Sequence, residues 1–491
     1  MIRELHEKLI NGKITSVELT QQYFDAIEKK DKDIFAYLTL TKDLAMEQAK
    51  KVDEKIARGE KIELLEGIPG AIKDVICTEG VRTTAGSKIL DNYIAPYDAT
   101  AVKNLRSLGA VILGKTNCDE FAMGSSTENS AYGPTKNPHD LTRVPGGTSG
   151  GSAAAIAADM AVWTLGTDTG GSIRQPSSLC GTVGLKPTYG RVSRYGLIAA
   201  ASSFDCIGPI AKTVEDAAII LSAISGQDKN DATSAHSSDK KYEDYLTGVV
   251  RGMKIGVVKE YLKELKEDVR KVMEEVIEKY KKLGAEIVEI ELPYNKYALP
   301  AYYIIQPSEV SSNLARFDGV KYGLRVNDAK DSVGDRGDKG DWGNMPKTLL
   351  ETYLDTRKYG LGAEAKRRIM LGTYALSSGY YEAYYVRAQK VRALIRKDFE
   401  RIFNEVDLIL TPTTTGPAFK IGEKIDDPLV MYLEDIFTVP ANITGVPAIS
   451  VPAGVVELEG KKLPIGFQLM GKWFDEENLL RAAHAWENVS V

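Results

Sequence analysis

Cysteine and histidine are both scarce in this sequence, with four of each among 491 residues. Cys77, Cys118, Cys180 and Cys206 lie far apart and form no C-x-x-C pair, which argues against a disulfide scaffold and against a zinc site. Such thiol usage suits a reducing compartment, and a cytoplasmic location is expected. The histidines show no H-E-x-x-H or other close metal spacing, so no metal site is expected. His6, His236 and His484 read as surface residues. His139, in Asn137-Pro138-His139-Asp140, reads as a turn residue rather than a partner for a serine. An excess of one charge is also missing: 63 basic and 68 acidic residues leave a net charge of −5, which supplies no electrostatic reason for the chain to hold a polyanion by itself. Nor is there a long hydrophobic run. The most apolar stretch, Ala153 to Leu165, carries Asp159 and falls short of the roughly 20 residues that a membrane span needs. The N-terminal MIRELHEKLI has apolar residues at helical spacing and reads as a surface helix rather than a signal peptide.

What is present is ordinary core-forming material, 43% hydrophobic, in which helical patterns alternate with β-branched runs. Thr15-Ser16-Val17-Glu18 has the form of a capping box. Asp98 to Leu108 reads as a helix stopped by Gly109 before a strand at Ala110 to Leu113. The logic repeats at Ile255 to Val258, a charged helix to about Leu283, Gly284, and a strand from Glu286 to Ile290. This alternation predicts an α/β fold with a sheet covered by helices. The polar stretch 227–241 fits a surface loop within one large domain or a domain linker, and 328–343, nearly devoid of apolar residues, reads as a mobile surface loop. Tyr374, Tyr380, Tyr381, Tyr384 and Tyr385 lie on a helical pattern, and a core position is expected for them in preference to a base-stacking platform.

Two glycine-serine clusters carry the chemistry: Pro145-Gly146-Gly147-Thr148-Ser149-Gly150-Gly151-Ser152 and Gly166-Thr167-Asp168-Thr169-Gly170-Gly171-Ser172-Ile173-Arg174-Gln175-Pro176. A flexible linker does not fit, because Ala153 to Ala158 is a strong helix former and Ala161 to Leu165 an apolar strand, so the clusters cap packed elements. A phosphate loop does not fit either, since neither the Walker pattern nor G-x-G-x-x-G occurs in them. What fits is a loop whose bare backbone N–H groups meet a developing negative charge while a serine hydroxyl attacks. With histidine scarce, the base is expected to be a lysine kept neutral by burial. Lys73 is the candidate, the lone charge in Gly67-Ile68-Pro69-Gly70-Ala71-Ile72-Lys73; an ion pair with Asp74 or another carboxylate is the structural alternative.

These features resemble the amidase signature family: a lysine in G-I-P-x-x-x-K-D followed by two glycine-serine clusters. The likeness extends through Gly184 to Arg194, Ala201 to Asp205, Arg367-Arg368-Ile369 and Tyr374 to Tyr385, segments similar to one branch, the glutaminase subunits of tRNA-dependent amidotransferases acting on Glu-tRNA(Gln) or Asp-tRNA(Asn). The resemblance implies one amidase domain spanning 1–491, with a mixed central sheet covered by helices on both faces. It implies Ser172 as acyl-forming nucleophile, Lys73 as base, and the N–H groups of Thr169, Gly170, Gly171 and Ser172 as oxyanion hole. The family's bridging hydroxyl, on a cis peptide, falls at Thr148, where the family normally has serine; the extra methyl restricts χ1, and Ser149 supports the relay. Free glutamine is the implied substrate, with Arg368 for its carboxylate, Asp435 for its ammonium, Tyr302 as an orienting residue, and Gly124 and Ser125 shaping the pocket. The branch further implies a carbon-nitrogen ligase assembly, a heterotrimer. A B subunit carries ATP and magnesium and most of the tRNA contact, a small C subunit braces the glutaminase, and this chain carries no cofactor of its own. The alternatives are a stand-alone amidase for small carboxamides and a non-catalytic scaffold within such an assembly.

Overall fold

The computed structural model describes residues 1–236, 240–325 and 348–489. The segment 328–343 lies outside the described residues. Eleven strands form one sheet: β1 (Tyr37–Leu40), β2 (Pro69–Lys73), β3 (Val111–Thr116), β4 (Trp163–Asp168), β5 (Val183–Lys186), β6 (Cys206–Ala211), β7 (Lys254–Val257), β8 (Glu286–Glu289), β9 (Leu408–Pro412), β10 (Ala448–Leu458) and β11 (Lys461–Gly471). Their order is β1-β3-β2-β4-β6-β5-β10-β11-β9-β7-β8. The sheet is mixed: β3, β2 and β4 run parallel, as do β9, β7 and β8, while the strands between are antiparallel. Because β6 and β7 belong to the same sheet, the stretch 227–241 does not divide the chain into two sheets. Its described part is tied down, with Asp228 accepting from the hydroxyls of Thr100 and Ser193 and Asp231 paired with Arg194.

Strand periodicity explains the layers. Successive side chains face opposite ways, so Ile72, Ile112, Leu165, Leu408, Leu410, Phe467 and Leu469 pack into one core, against the helices Thr100–Ser107, Val214–Ile224, Glu267–Lys282 and Glu476–Val489. Their neighbours face the other way. Ala71, Val111, Leu113 and Ile210 meet the helices Ser16–Ile34, Lys42–Ala57 and Gly150–Ala157. Further along the sheet, Ile409, Ala448 and Met470 meet the helices Ala298–Asn313 and Arg387–Ile402. Helices therefore cover both faces, as an α/β sheet with buried parallel strands requires.

Local signals act where the sequence places them. Thr15 and Glu18 close a reciprocal capping box on helix Ser16–Ile34. Helix Thr100–Ser107 is followed by Gly109 at φ +72° and then β3. The strand-helix-strand unit after residue 250 forms parallel β7 and β8. At Gly70 the absence of a side chain is required by packing, because a Cβ there would lie 2.1 Å from the Trp163 ring on the paired strand.

The tyrosines depart from expectation. Tyr374, Tyr380, Tyr381 and Tyr384 are exposed rather than core, from 49% for Tyr374 to 40% for Tyr384; only Tyr385 packs against buried residues. Helix Ala363–Leu376 carries Tyr374 but ends before the other four, and the chain re-enters a helix through a wider π turn at Glu382–Val386. That break shifts the helical phase, so one continuous stripe does not form. The exposed rings contact one another and Tyr385 instead, Tyr374 tilted against Tyr380 at 4.5 Å and Tyr381 stacked on Tyr385 at 5.5 Å between centroids.

Candidate active site

The site lies at the carboxyl ends of parallel β2 and β4, where the chain leaves the sheet and loops gather. Lys73 is the last residue of β2, fully buried. Its neighbour Asp74 faces the other way, toward Thr84 and toward Lys115, whose Nζ lies 3.7 Å from Asp74 Oδ1. Among the described residues Lys73 forms no ion pair, and the structural alternative of a Lys73–Asp74 pair falls. Lys73 Nζ instead has three hydroxyl partners, Thr148 Oγ1 at 2.6 Å, Thr167 Oγ1 at 2.8 Å and Ser149 Oγ at 3.0 Å. Burial, with no carboxylate in contact, lowers its pKa from 10.5 to about 8.

Thr148 and Ser149 stand immediately before helix Gly150–Ala157, after the cis peptide Gly147–Thr148. Their hydroxyls differ in what remains free. Ser149 Oγ donates to the Thr167 carbonyl at 3.1 Å and accepts the Thr167 N–H at 3.2 Å as well as Lys73. Its proton is committed. The Thr148 hydroxyl has Lys73 as its one hydrogen-bond partner among the described residues, so its proton is available. The three hydroxyl oxygens can accept the three N–H groups of the ammonium; on loss of a proton the lone pair can take the Thr148 hydroxyl proton in place of one of them.

Across this group lies the loop after β4. Asp168, the last residue of β4, accepts the N–H groups of Ile173 and Arg174 and pairs with the Arg174 guanidinium through Nε at 3.0 Å and Nη2 at 2.9 Å. Burial acts to raise the pKa of Asp168, but Arg174's charge and hydrogen bonds outweigh it and hold the pKa at about 2. The pair cinches residues 169–172 into a tight turn. The Thr169 hydroxyl adds a bond to Asp205 at 2.7 Å, and the Ser149 N–H donates to the Ser172 carbonyl at 3.1 Å. Ser172 is 6% exposed, and its hydroxyl forms no hydrogen bond among the described residues; a bond to Thr148, expected of a bridging residue, is not formed. The N–H groups of Thr169, Gly170, Gly171 and Ser172 likewise donate to no protein acceptor among the described residues. Four consecutive buried N–H groups without partners are rare, and bare donors of this kind are suited to meeting negative charge.

The residues expected to hold substrate come together beside this loop. The buried Asp435 accepts from Ser125 Oγ at 3.0 Å, Gln175 Nε2 at 2.7 Å and Tyr303 Oη at 2.5 Å. Burial raises its pKa to about 6 against these bonds. Arg368 lies beside the stacked rings of Tyr303 and Tyr432, whose centroids are 3.9 Å apart, with each centroid 5.3 Å from Cζ, and it donates through Nε to Glu364 and through Nη1 to Gln306. Its Nη2 makes no hydrogen bond among the described residues. A cavity of about 160 Å³ is lined by Gly124, Ser126, Glu364, Arg368 and Tyr432 among others. Tyr302 packs on Phe204 and edge-on against Tyr303, and a Cβ on Gly170 would meet its hydroxyl at 2.6 Å.

Sequence reading missed Thr167, Gln175, Tyr303, Asp205 and Asp119. The buried Asp119 accepts the N–H groups of Thr127 and Asn129 and abuts Gly147, where a Cβ would lie 2.4 Å from its Oδ2; it thereby joins the Gly124–Ser126 loop to the cis peptide. Gln175 lay inside the second glycine-serine cluster and Tyr303 beside Tyr302, but nothing local distinguished them. His139 occupies a turn, its Nε2 3.0 Å from the Cys180 carbonyl, away from Lys73. The four cysteines are buried and free. Among the described residues no group of three or more His, Cys, Asp or Glu is placed to hold a metal ion, and no helix is long and apolar enough to cross a membrane.

Comparison with known proteins bears on the chain as a whole. A sequence-family model described as Amidase matches residues 18–480. The Glutamyl-tRNA(Gln) amidotransferase A subunit of Koribacter versatilis (strain Ellin345) is 58% identical over 475 residues, covering 96% of this chain and 95% of its own length. Its namesake in Carboxydothermus hydrogenoformans is 56% identical over 489 residues, covering 99% and 96%. The crystal structure of the Glutamyl-tRNA(Gln) amidotransferase A subunit from Thermotoga maritima superposes with a TM-score of 0.78 at 42% identity, covering 99% of this chain and 95% of that one.

Proposed function

The chain belongs to the amidase family, and on that premise we propose that it is the glutamine-hydrolysing subunit of a tRNA-dependent amidotransferase. The observation that carries the reading is the juxtaposition of a buried lysine, without an ion pair among the described residues and bonded to the Thr148 hydroxyl, with a loop of four N–H groups that find no acceptor among those residues. An acidic and a guanidinium group wait beside it at Asp435 and Arg368. A zwitterionic amino acid with a side-chain amide matches that polarity.

In this reading neutral Lys73 takes the proton of Thr148, which takes that of Ser172 as the Ser172 oxygen attacks the carboxamide carbon of glutamine. The second leg of the relay forms when substrate closes the site, since apo contacts of this kind are commonly long. The N–H groups of residues 169–172 stabilise the oxyanion. On collapse the C–N bond breaks, the proton returns through Thr148 to the leaving nitrogen, and ammonia departs. Water then attacks the glutamyl ester by the same relay, releasing glutamate. Ser149, saturated by Thr167, supports the loop rather than carrying the proton. Asp435 holds the substrate ammonium, Arg368 its carboxylate, Tyr302 orients it, and Gly124 and Ser125 shape the pocket wall.

The ammonia goes to a partner B subunit that binds the mischarged tRNA and activates its carboxylate with ATP and magnesium, while a small C subunit completes a cytoplasmic heterotrimer. Glu-tRNA(Gln) is the substrate named by the relatives, and Asp-tRNA(Asn) remains a second acceptor to test. The decisive experiment purifies the chain with its co-expressed partners, measures glutamate and ammonia from glutamine, and then measures amidation of each mischarged tRNA. Hydrolysis of simple carboxamides in preference to glutamine, without partners, favours a stand-alone amidase. Assembly without hydrolysis favours a scaffold.

A further inference from the structure

The turn Asp435–Thr438 leads from the acidic group of the substrate pocket to the loop that presents the four free N–H groups. Its first residue carries the carboxylate bound by Ser125, Gln175 and Tyr303. Its last, Thr438, is fully buried, and its hydroxyl donates to the Gly170 carbonyl at 2.7 Å, the nearer of its two acceptors, the Asp435 carbonyl lying at 3.2 Å. Thr438 is itself immobilised: its N–H donates to the Asp435 carbonyl at 3.1 Å and its own carbonyl accepts Arg174 Nη1 at 2.9 Å.

In a trans peptide the C=O and the following N–H point in opposite directions. Anchoring the Gly170 carbonyl on Thr438 therefore turns the Gly171 N–H away from Thr438. The anchor matters because both flanking residues are glycine, so no Cβ resists rotation of the peptide plane. Neither can be anything else. A Cβ on Gly171, at φ +141°, would lie 2.3 Å from Thr438 Oγ1, and one on Gly170 would strike Tyr302. Close packing forces glycine here, and glycine alone leaves the peptide free to flip.

We propose that Thr438 is a positioning residue that holds the Gly170–Gly171 peptide in the orientation that stabilises the oxyanion. The inference rests on the glutaminase reading above and names a residue that reading does not require. Removing the hydroxyl disables one donor in the transition state and leaves the ground-state contacts of glutamine in place.

The test uses the full chain in its purified assembly and compares Thr438→Val with Thr438→Ser for glutamine hydrolysis. Thr438→Val, equal in shape without the donor, is expected to lower kcat by about 10²-fold, the loss seen for a single oxyanion donor, with KM nearly unchanged. Thr438→Ser is expected to restore most of the rate. Should the valine variant not fold, Thr438→Ala against Thr438→Ser makes the same comparison. The proposal is overturned if the hydroxyl-free variant keeps kcat, if its defect lies in KM, or if serine fails to rescue. If the wild-type assembly cleaves other amides but not glutamine, the glutaminase reading fails separately, and the same variants on the cleaved amide still decide the role of Thr438.

Discussion

Lys73 offers the sharpest test, because its environment predicts a pH dependence with a definite sign. Burial holds its pKa at about 8 in place of 10.5. At pH 7 about one molecule in ten then carries the neutral amine, against about one in three thousand for an ordinary lysine. If the neutral form is the base, kcat/KM for glutamine hydrolysis rises about tenfold per pH unit from 6 to 7, bends near 8, and is level by about 9. The assay is ammonia release at constant ionic strength across that range. Lys73→Arg keeps a charge that no usable pH removes, so it is expected to be as inactive as Lys73→Ala and to lose the bend. Other bends have other owners: Asp119, Asp205 and Asp435 are raised by burial to about 6, and Glu120, also by burial, to about 7. Those persist in residual activity of the arginine variant, whereas the bend near 8 does not. A flat profile from 6.5 to 8.5, or substantial activity in Lys73→Arg, would refute the reasoning.

The same group leaves a mark on stability. Its folded pKa lies below the unfolded one, so between about 8 and 10.5 the unfolded chain binds more protons than the native protein, and stability rises with pH across that window. The contribution is about 3 kcal/mol at most, and it is absent from the melting profile of Lys73→Ala.

Ser172→Ala is expected to abolish glutaminase turnover without lowering the melting temperature, since the Ser172 hydroxyl bonds to no described group; mass spectrometry of a trapped wild-type intermediate places the glutamyl group on the Ser172 peptide, and label on Cys180 instead would indicate thiol chemistry. Asp435 is ionised only above about 6 in the empty site, so KM for glutamine climbs as pH falls through that value while kcat changes less. Asp435→Asn raises KM at every pH and removes the dependence; a KM level from pH 7 to 5 would exclude the ammonium contact. Thr148→Val, which keeps the shape and deletes the proton path, is expected to cost on the order of 10²-fold or more, Thr148→Ser to retain activity, and Ser149→Ala to cost much less. The reverse ranking would move the relay to Ser149.

How far the sequence was legible depended on whether the decisive signal was local. A single charge at the end of an apolar strand marked Lys73, and strand alternation is why it and Asp74 part company, one to the hydroxyl cluster and the other to Lys115 and Thr84. Caps and glycine stops were local too, and the elements begin and end close to them. The exposed tyrosines show the limit of periodicity, which identifies a stripe along a helix but not the phase lost where Ala363–Leu376 breaks before the π turn. Tyr303, Gln175, Asp205 and Thr438 were invisible for a different reason. Each acts through a partner far along the chain, as when Thr438 binds Gly170 or Gln175 binds Asp435, and no pattern within one segment records such a bond. Thr148 and Ser149 are the narrowest case. Adjacent and both hydroxyl-bearing, they are separated by resemblance alone until hydrogen bonds are counted. Ser149 directs its one proton to the Thr167 carbonyl, whereas the Thr148 hydroxyl has only Lys73 as a partner among the described residues, and it is this difference that leads the proposed relay through Thr148.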